Sequence, residues 1–216
     1  MNARVIALTQ PVAPEVSGMT AEGLMIYIAR VSSPHQTNPE FAGLLKYCLR
    51  NGHWSVFEHV VMTVEIETSI SIGEQILRHR SFVFQKFSGR YGTLKMGVEL
   101  VRDPNRKGGK NRQAGIREGR WWVLWIWMLL QWLTYGLGFA AYRVALKMGI
   151  ANEDARFLLP AATRTKLYMT GSVRSWIHYL QARTHEHAQH QHRDVALAIQ
   201  ELFKAQFPVT SEALGW

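Results

Sequence analysis

The hydrophobic and polar positions of this 216-residue chain follow two periods, one typical of helices and one typical of strands. Apolar residues recur at helical spacing over residues 21–31 and 38–50, and Asn51-Gly52 marks the end of the second predicted helix. Over residues 59–69 the pattern changes to alternation with many β-branched residues, which predicts a strand. We expect further helices over residues 71–79 with Ser71 as the N-cap, over 121–147, over 153–159, and from 173 past 200.

The two periods together predict a mixture of helices and strands. A chain of 216 residues, 47% of them hydrophobic, can fill one sizeable core, so we expect residues 1–216 to form a single domain. The single cysteine excludes an intrachain disulfide and a thiolate metal cluster. Cys48 falls on the apolar face of its helix, which predicts a buried thiol and not a nucleophile. No secretory signal pattern opens the chain, so we expect a cytoplasmic protein.

The run over residues 121–142 has no charged residue in 22 positions, and it is long and apolar enough to cross a membrane. Trp125, Trp127 and Gln131 would then lie near mid-bilayer, whereas tryptophan favours the interface. A helix that is apolar all round also fits a buried contact between subunits, which is the interpretation we favour. From Gly136 the run matches G-x-G-x-x-A. No strand precedes it, so small residues in a crowded helix explain it better than a dinucleotide site.

The charge of the chain is strongly basic, with a formal net charge of +9 that favours polyanionic partners. Residues 102–120 contribute five of these charges, because seven Lys or Arg stand there against Asp103 and Glu118. This loop-like segment is either a solvated insertion or a phosphate-binding element.

The stretch HEHAQHQHRD carries four histidines, His185, His187, His190 and His192. The zincin pattern H-E-x-x-H would require histidine where Gln189 stands. A polar, solvated helix face is the interpretation we favour, with a metal site as the alternative.

The stretch RHRSFVFQKFSGRY, residues 78–91, combines three arginines, a histidine and a lysine with four aromatic rings. A solvated surface is rarely so aromatic. Two kinds of ligand fit this composition: a nucleic acid, or a small anionic nucleotide with a ring that can stack.

Several blocks spread over most of the chain carry one further signal. Arg78-His79-Arg80 is followed by Ser88-Gly89-Arg90, which is the spacing RHR…S-x-R. The other blocks are NGHWSVFEH over residues 51–59, EDARFLLP over 153–160 and GSVRSWIHYLQARTHEHAQ over 171–189. Together these blocks resemble the flavin-dependent thymidylate synthases, the ThyX family.

The resemblance implies a fold, an assembly and a reaction. The fold would be α/β (α+β), a curved β-sheet flanked by helices, in a homotetramer whose active sites are shared between subunits. Arg156 would then serve a neighbour's nucleotide. The reaction would methylate dUMP to dTMP, with methylenetetrahydrofolate as the carbon donor and NADPH as the reductant through FAD. Arginine forks and aromatic faces suit such anionic, ring-bearing ligands.

The resemblance also assigns residues. Catalytic roles fall to Arg183, at the uracil edge, to Ser88, and to His53 near the flavin and folate. The deoxynucleotide would be bound by Gln75, Arg78, Ser88, Gly89, Arg90, Arg156 and Arg183. FAD would be bound by Ser55, Arg78, His79, Arg80, Lys86, Ser172, Arg174 and His178. No metal is implied.

The chain departs from the family pattern at three of these positions. Lys86 stands where the family usually has an acidic residue, so its contact to flavin and nucleotide does not follow from the resemblance. Ser172 and His178 stand where asparagine is common, which changes the hydrogen-bonding groups without abolishing them. A divergent or inactive homologue is therefore one alternative.

Two alternatives come from other function classes. A single-stranded nucleic-acid-binding protein would stack bases on Phe82, Phe84 or Tyr91, but it would not require the distant EDAR and LQAR blocks. A membrane-attached, non-catalytic protein would explain the tryptophan-rich run and nothing else. We therefore expect neither nucleic acid nor membrane as a partner.

Overall fold

The computed structural model describes residues 2–93, 97–106 and 116–216, and a four-stranded antiparallel sheet lies at its centre. Its strands lie in the order β1-β2-β6-β3, with bounds β1 (Asn2–Leu8), β2 (Val61–Ser69), β3 (Val83–Lys86) and β6 (Arg164–Ser172). A short second ladder joins β4 (Asn105–Arg106) to β5 (Ile116–Arg117). The α-helices are α1 (Ala21–Ala29), α2 (Ala42–Arg50), α3 (Ile70–Ile76), α4 (Trp121–Lys147), α5 (Asn152–Ala155), α6 (Val173–Arg183), α7 (His190–Gln206) and α8 (Pro208–Leu214). The fold is thus a mixed one of helices and antiparallel sheet.

The central strand pair β2 and β6 positions two of the predicted binding segments, because a helix starts directly at the end of each strand. The register runs from Val61 opposite Ser172 to Ser69 opposite Arg164. The Ser69 side chain caps the N-terminus of α3, and the Ser172 side chain caps the N-terminus of α6. The segments that contain Gln75 and Arg174 therefore begin at opposite ends of one strand pair.

Helices α6 and α7 pack on the sheet and form the core with it. Trp176 is fully buried and donates its indole N–H to the Met62 carbonyl at 3.0 Å, which fixes α6 over β2. Phe82 meets Trp176 edge to face at 4.8 Å between ring centroids. It also lies over Gly171, where a Cβ would overlap its ring. The glycine of the GSVRS block thus lets the RHRSF segment pack closely against β6.

Several predicted elements are confirmed with shifted ends. The helix expected over residues 38–50 begins at Ala42, and the short helix after β2 is capped by Ser69, not Ser71, because the strand runs directly into it. The helix expected over 153–159 is one α-turn followed by the 3-10 turn Arg156–Leu158. The strands β1, β3 and β6 were not predicted.

The prediction of a single long helix from residue 173 past 200 is wrong. The chain forms α6 and α7 with a break over residues 184–189. Few apolar residues follow Leu180 before Val195, so a continuous helix would have little to bury there. Arg193 holds the break by donating from Nε to the Thr184 carbonyl at 2.9 Å.

Helix α4 has the bounds that the sequence predicts, and it is long and apolar enough to cross a membrane by length and composition. Such a helix is weak evidence for a membrane by itself, and 11% of its most apolar window is buried in the single chain. Its inner side is held by Gln131, which exchanges two hydrogen bonds with the Val101 backbone at 2.8 and 3.0 Å. The outer side exposes Trp121, Trp122, Trp125, Ile126, Leu129, Leu130, Trp132, Leu133 and Leu137.

Candidate active site

His79 and Arg183 bring two distant sequence blocks together. Arg183, the last residue of α6, donates from Nε to His79 Nε2 at 3.0 Å. The accepting nitrogen carries no proton, so the His79 ring is neutral with its hydrogen on Nδ1. Burial, and next the charge of Arg183, lower the pKa of His79 to about 4. Arg183, predicted at the uracil edge, and His79, predicted to bind FAD, thus lie side by side.

Gln75 on α3 belongs to the same region and is held by two side chains. Its Nε2 donates to Gln189 Oε1 at 2.6 Å, and its Oε1 lies 3.3 Å from Nδ1 of His192 on α7. The other nitrogen of His192, Nε2, is 3.1 Å from the Tyr179 hydroxyl. Burial is the main cause that lowers the pKa of His192 to about 4 and raises the pKa of Tyr179. Gln75 is therefore connected to both α6 and α7.

Glu58 organises a second group of predicted residues at the start of α6. Ser172 Oγ donates to Glu58 Oε2 at 2.6 Å, and Arg174 Nη1 donates to Glu58 Oε1 at 2.9 Å. Further along α6, the His178 ring lies 4.8 Å from the Trp54 ring. Three residues predicted to bind FAD, from the GSVRS block, are thus in contact with the NGHWSVFEH block.

His53 and Ser55 flank the start of the 3-10 helix Trp54–Glu58, and both are exposed. The His53 ring meets the Tyr47 ring edge to face at 5.6 Å. Both predicted residues are therefore accessible to a ligand.

Arg90 and Arg156 meet at Glu153, which forms a third group. Arg90 Nε lies 3.3 Å from Glu153 Oε2, and Arg156 Nε donates to the Glu153 carbonyl at 3.1 Å. The Arg90 amide donates to Ser88 Oγ at 3.4 Å, and Gly89 between them is buried. Among the described residues no hydrogen bond links this group to Gln75 or Arg183. Arg90 and Arg156, both predicted to bind the deoxynucleotide, thus lie together in the chain and apart from Gln75 and Arg183.

Arg78 and Arg80 are both exposed. Within the described ranges their guanidinium groups form no ion pair or hydrogen bond, in contrast to Arg90 and Arg174. Two such cations on either side of His79 are available for an anionic ligand.

Lys86 on β3 forms an ion pair with Glu74 on α3. The lysine that departs from the family pattern is therefore paired with a carboxylate of the protein itself. Its charge is offset before any ligand binds.

The structure corrects two other sequence interpretations. Phe82 is buried against Trp176, so its ring is not available to stack on a base, whereas Tyr91 is exposed. His192 is buried and does not lie on a solvated helix face, and His185 and His187 lie in the break between α6 and α7. In the part of the chain that the structure describes, no group of three His, Cys, Asp or Glu side chains could hold a metal ion.

Sequence reasoning missed three residues of these groups: Glu58, Tyr179 and His192. Glu58 stands inside the NGHWSVFEH block, which was a usable signal. Tyr179 stands inside the GSVRSWIHYLQARTHEHAQ block, and a buried hydroxyl needs a hydrogen-bond partner.

The basic segment over residues 102–120 lies partly outside the described residues. Of its acidic pair, Glu118 is buried and bound by Arg120 at 2.6 Å.

Comparison with known proteins identifies the family of the chain. The Thy1 family, described as "Thymidylate synthase complementing protein", matches residues 16–209. A flavin-dependent thymidylate synthase of Synechocystis sp. is 44% identical over 217 residues, and the match covers 100% of both chains. A probable flavin-dependent thymidylate synthase of Paramecium bursaria Chlorella virus 1 is 42% identical over 222 residues, again covering 100% of both chains.

The fold is also similar to a solved structure of the UMP/dUMP methylase PolB from Streptomyces cacaoi, bound with 5-Br dUMP. The TM-score is 0.84 at 26% sequence identity, and the match covers 99% of this chain and 94% of that one. The family match and the full-length relatives decide the assignment. The chain belongs to the Thy1 family, the flavin-dependent thymidylate synthases.

Proposed function

We propose that the protein methylates dUMP at C5, with methylenetetrahydrofolate as the carbon donor, NADPH as the reductant and FAD as the cofactor. The products are dTMP, tetrahydrofolate and NADP⁺, and one proton is consumed. The observation that carries the proposal is the hydrogen bond between Arg183 and His79, since it joins the two blocks assigned to nucleotide and flavin. The full-length match of the chain to proteins named as such synthases supports the same reaction.

Arg183 is the residue we assign to uracil activation. The Nε of Arg183 donates to His79, which leaves the two terminal nitrogens of the planar guanidinium for carbonyl oxygens of the uracil edge. Their charge would stabilise negative charge on the ring as C5 attacks the methylene carbon. Cys48 is buried and burial raises its pKa, so this chemistry does not draw on the thiol.

The phosphate of dUMP is assigned to Arg90, Arg156 and the loop of Ser88 and Gly89. Both arginines already lie around Glu153, Arg90 at its carboxylate and Arg156 at its backbone carbonyl, so an arriving phosphate would compete with the carboxylate for Arg90 alone. Because this group shares no hydrogen bond with Gln75 or Arg183 among the described residues, we propose that it completes the site of a neighbouring subunit.

The residues assigned to FAD fit an anionic dinucleotide. Arg78 and Arg80 are exposed and their charges are not offset within the described residues, as a pyrophosphate site requires. Ser55, Ser172, Arg174 and His178 would add hydrogen bonds near the start of α6, and His53 would lie beside the flavin and folate. When bound, the flavin supplies the reducing equivalents. We assign Lys86 an indirect part, through its ion pair with Glu74.

The assembly we propose is a homotetramer in the cytoplasm. The outer face of α4 exposes several tryptophans and leucines in the single chain, and a contact between subunits would cover them. Covering this face would also explain why a chain of this family contains a helix long and apolar enough to cross a membrane.

The test is to purify the protein and measure its visible spectrum. We expect bound flavin that bleaches with NADPH in the absence of oxygen, and dTMP formation when dUMP and methylenetetrahydrofolate are added. A colourless protein that does not take up added FAD would overturn the proposal. Tight binding of single-stranded DNA by that same sample would favour the nucleic-acid alternative instead.

A further inference from the structure

Behind Gln75 lies a buried polar pair that the proposed function does not use. Tyr179 is 2% exposed and His192 is 1% exposed, and their side chains hydrogen-bond to each other at 3.1 Å. Burying a hydroxyl and an imidazole costs desolvation free energy, which their hydrogen bonds must offset.

The hydrogen bonds determine which nitrogen of His192 carries the proton. Gln75 Oε1 can only accept, so His192 Nδ1, at 3.3 Å, is the donor. A neutral imidazole has one donor nitrogen, which makes His192 Nε2 the acceptor for the Tyr179 hydroxyl. The chain of donation therefore runs in one direction, from Tyr179 through His192 to Gln75.

The same direction fixes the amide of Gln75. Because the Oε1 of Gln75 accepts from His192, its Nε2 group points away from that histidine. It donates one hydrogen to Gln189 Oε1 at 2.6 Å. Its second hydrogen is left for a ligand oxygen. Without His192, the amide could rotate by half a turn and present its oxygen instead.

We infer that His192 is a positioning residue for the deoxynucleotide, which orients the carboxamide of Gln75 as a donor while Tyr179 fixes the tautomer of His192. The inference rests on the proposed binding of dUMP by Gln75. Tyr179 also touches the other half of the site, because its ring meets the His79 ring edge to face at 4.8 Å. This ring contact of Tyr179 with His79 does not depend on His192, so His192 acts on the nucleotide through Gln75.

Two variants of His192 separate positioning from a structural role. In His192→Asn, the amide nitrogen replaces Nδ1 and can still donate to Gln75, but the Tyr179 hydroxyl loses its partner. In His192→Gln, the longer amide replaces Nε2 and keeps a partner for Tyr179, but the donor to Gln75 is lost. A structural role predicts that nucleotide affinity follows stability in both variants.

The measurement is calorimetric titration of the FAD-loaded protein with dUMP. We expect His192→Gln to weaken dUMP binding about tenfold and His192→Asn to stay within about threefold of the wild type. In a Gln75→Ala background, the same two substitutions should leave the remaining dUMP affinity unchanged, because they act through Gln75. Equal affinities of the two variants, or an undiminished effect without Gln75, would overturn the inference.

Hydroxyl deletions provide a second route if neither histidine variant folds. Tyr179→Phe removes the donor that fixes His192, and we expect it to weaken dUMP binding about threefold or more. Its matched control is Tyr168→Phe on β6, which removes a hydroxyl that donates a hydrogen bond to Glu65 at 2.7 Å. Equal dUMP affinity of these two variants would refute the positioning role. Wild-type protein that binds no dUMP would instead refute the proposed function.

Discussion

Arg183 and His79 are 104 positions apart in the sequence, and the Arg183 guanidinium donates to the His79 imidazole at 3.0 Å. The contact has two consequences. It holds the arginine fork in one orientation, and the charge of Arg183 adds to the effect of burial, the main cause that lowers the pKa of His79 and keeps the ring neutral. Substitution of Arg183 should therefore change the nucleotide chemistry directly and the charge state of His79 indirectly.

The first prediction concerns Arg183→Ala. It should retain bound FAD, since the other flavin contacts remain, and lose about a hundredfold in methylation, because no cation stabilises the activated uracil. Arg183→Lys should rescue little, because an ammonium lacks the planar fork. The comparison is dTMP formation against NADPH consumption, with the exposed Arg50→Ala as the control. Methylation by Arg183→Ala within a fewfold of the wild type would contradict the assignment.

The second prediction concerns the pair of Lys86 and Glu74. Lys86→Glu places two carboxylates together and should lower both thermal stability and FAD occupancy, whereas the double variant with Glu74→Lys should restore both. The pair is partly exposed, so we expect an effect on stability of about 0.2–1 kcal/mol. The measurements are melting temperature and the ratio of flavin to protein absorbance. FAD occupancy that stays low in the double variant would show that Lys86 contacts the cofactor directly.

The sequence blocks name residues whose side chains meet in the structure, as with Arg183 and His79, or Arg90 and Arg156. The ligand roles of these residues stay predictions. Helix α4 could be predicted to its last residue, because its apolar run starts directly after Arg120 and Gly149, which has a positive φ, follows its last turn.

The strands β1, β3 and β6 were missed for different reasons. Buried positions alternate along the whole of β6, so its period of two was a usable signal, whereas β3 is too short to show one. β3 contains four residues inside a basic, aromatic stretch, and it becomes a strand through pairing with β6 from Val83 to Lys86. His192 was assigned to a solvated face with the other histidines of its stretch, yet it lies at helical spacing from Val195, Ile199 and Phe203 on the buried face of α7. The pairing of β3 depends on a tertiary contact that a single sequence does not show, whereas the place of His192 could have been predicted from its helical period.

The third prediction is a loss of stability between pH 6.5 and 4. Burial lowers the pKa of His79 and His192 to about 4, whereas in the unfolded chain they protonate near pH 6.5. The unfolded state therefore binds more protons in this window, and the free energy of unfolding falls as the pH decreases. The slope should reach at most about 1.4 kcal/mol per pH unit for each histidine.

Urea unfolding at pH 7, 6 and 5 measures this slope. His192→Asn, which cannot titrate, should reduce it, and an unchanged slope would contradict the role of that histidine. Glu65 acts at lower pH, because its hydrogen bonds to Arg4 first, and to Tyr168, lower its pKa to about 2. Its contribution is present above about pH 4.5 and is lost as the pH falls towards 2, so it does not obscure the histidine window.

The last prediction concerns the outer face of α4, where Trp125 is 73% exposed in the single chain. If this face is a contact between subunits, the protein should stay in the supernatant after high-speed centrifugation without detergent, as a tetramer. Trp125→Glu would then bury a charge at the contact and should shift the mass measured by light scattering towards smaller species. Gln10→Glu, on an exposed loop, is the matched control and should leave the mass unchanged. Recovery of the wild type only from a membrane fraction, resistant to high salt, would show that lipid covers this helix instead.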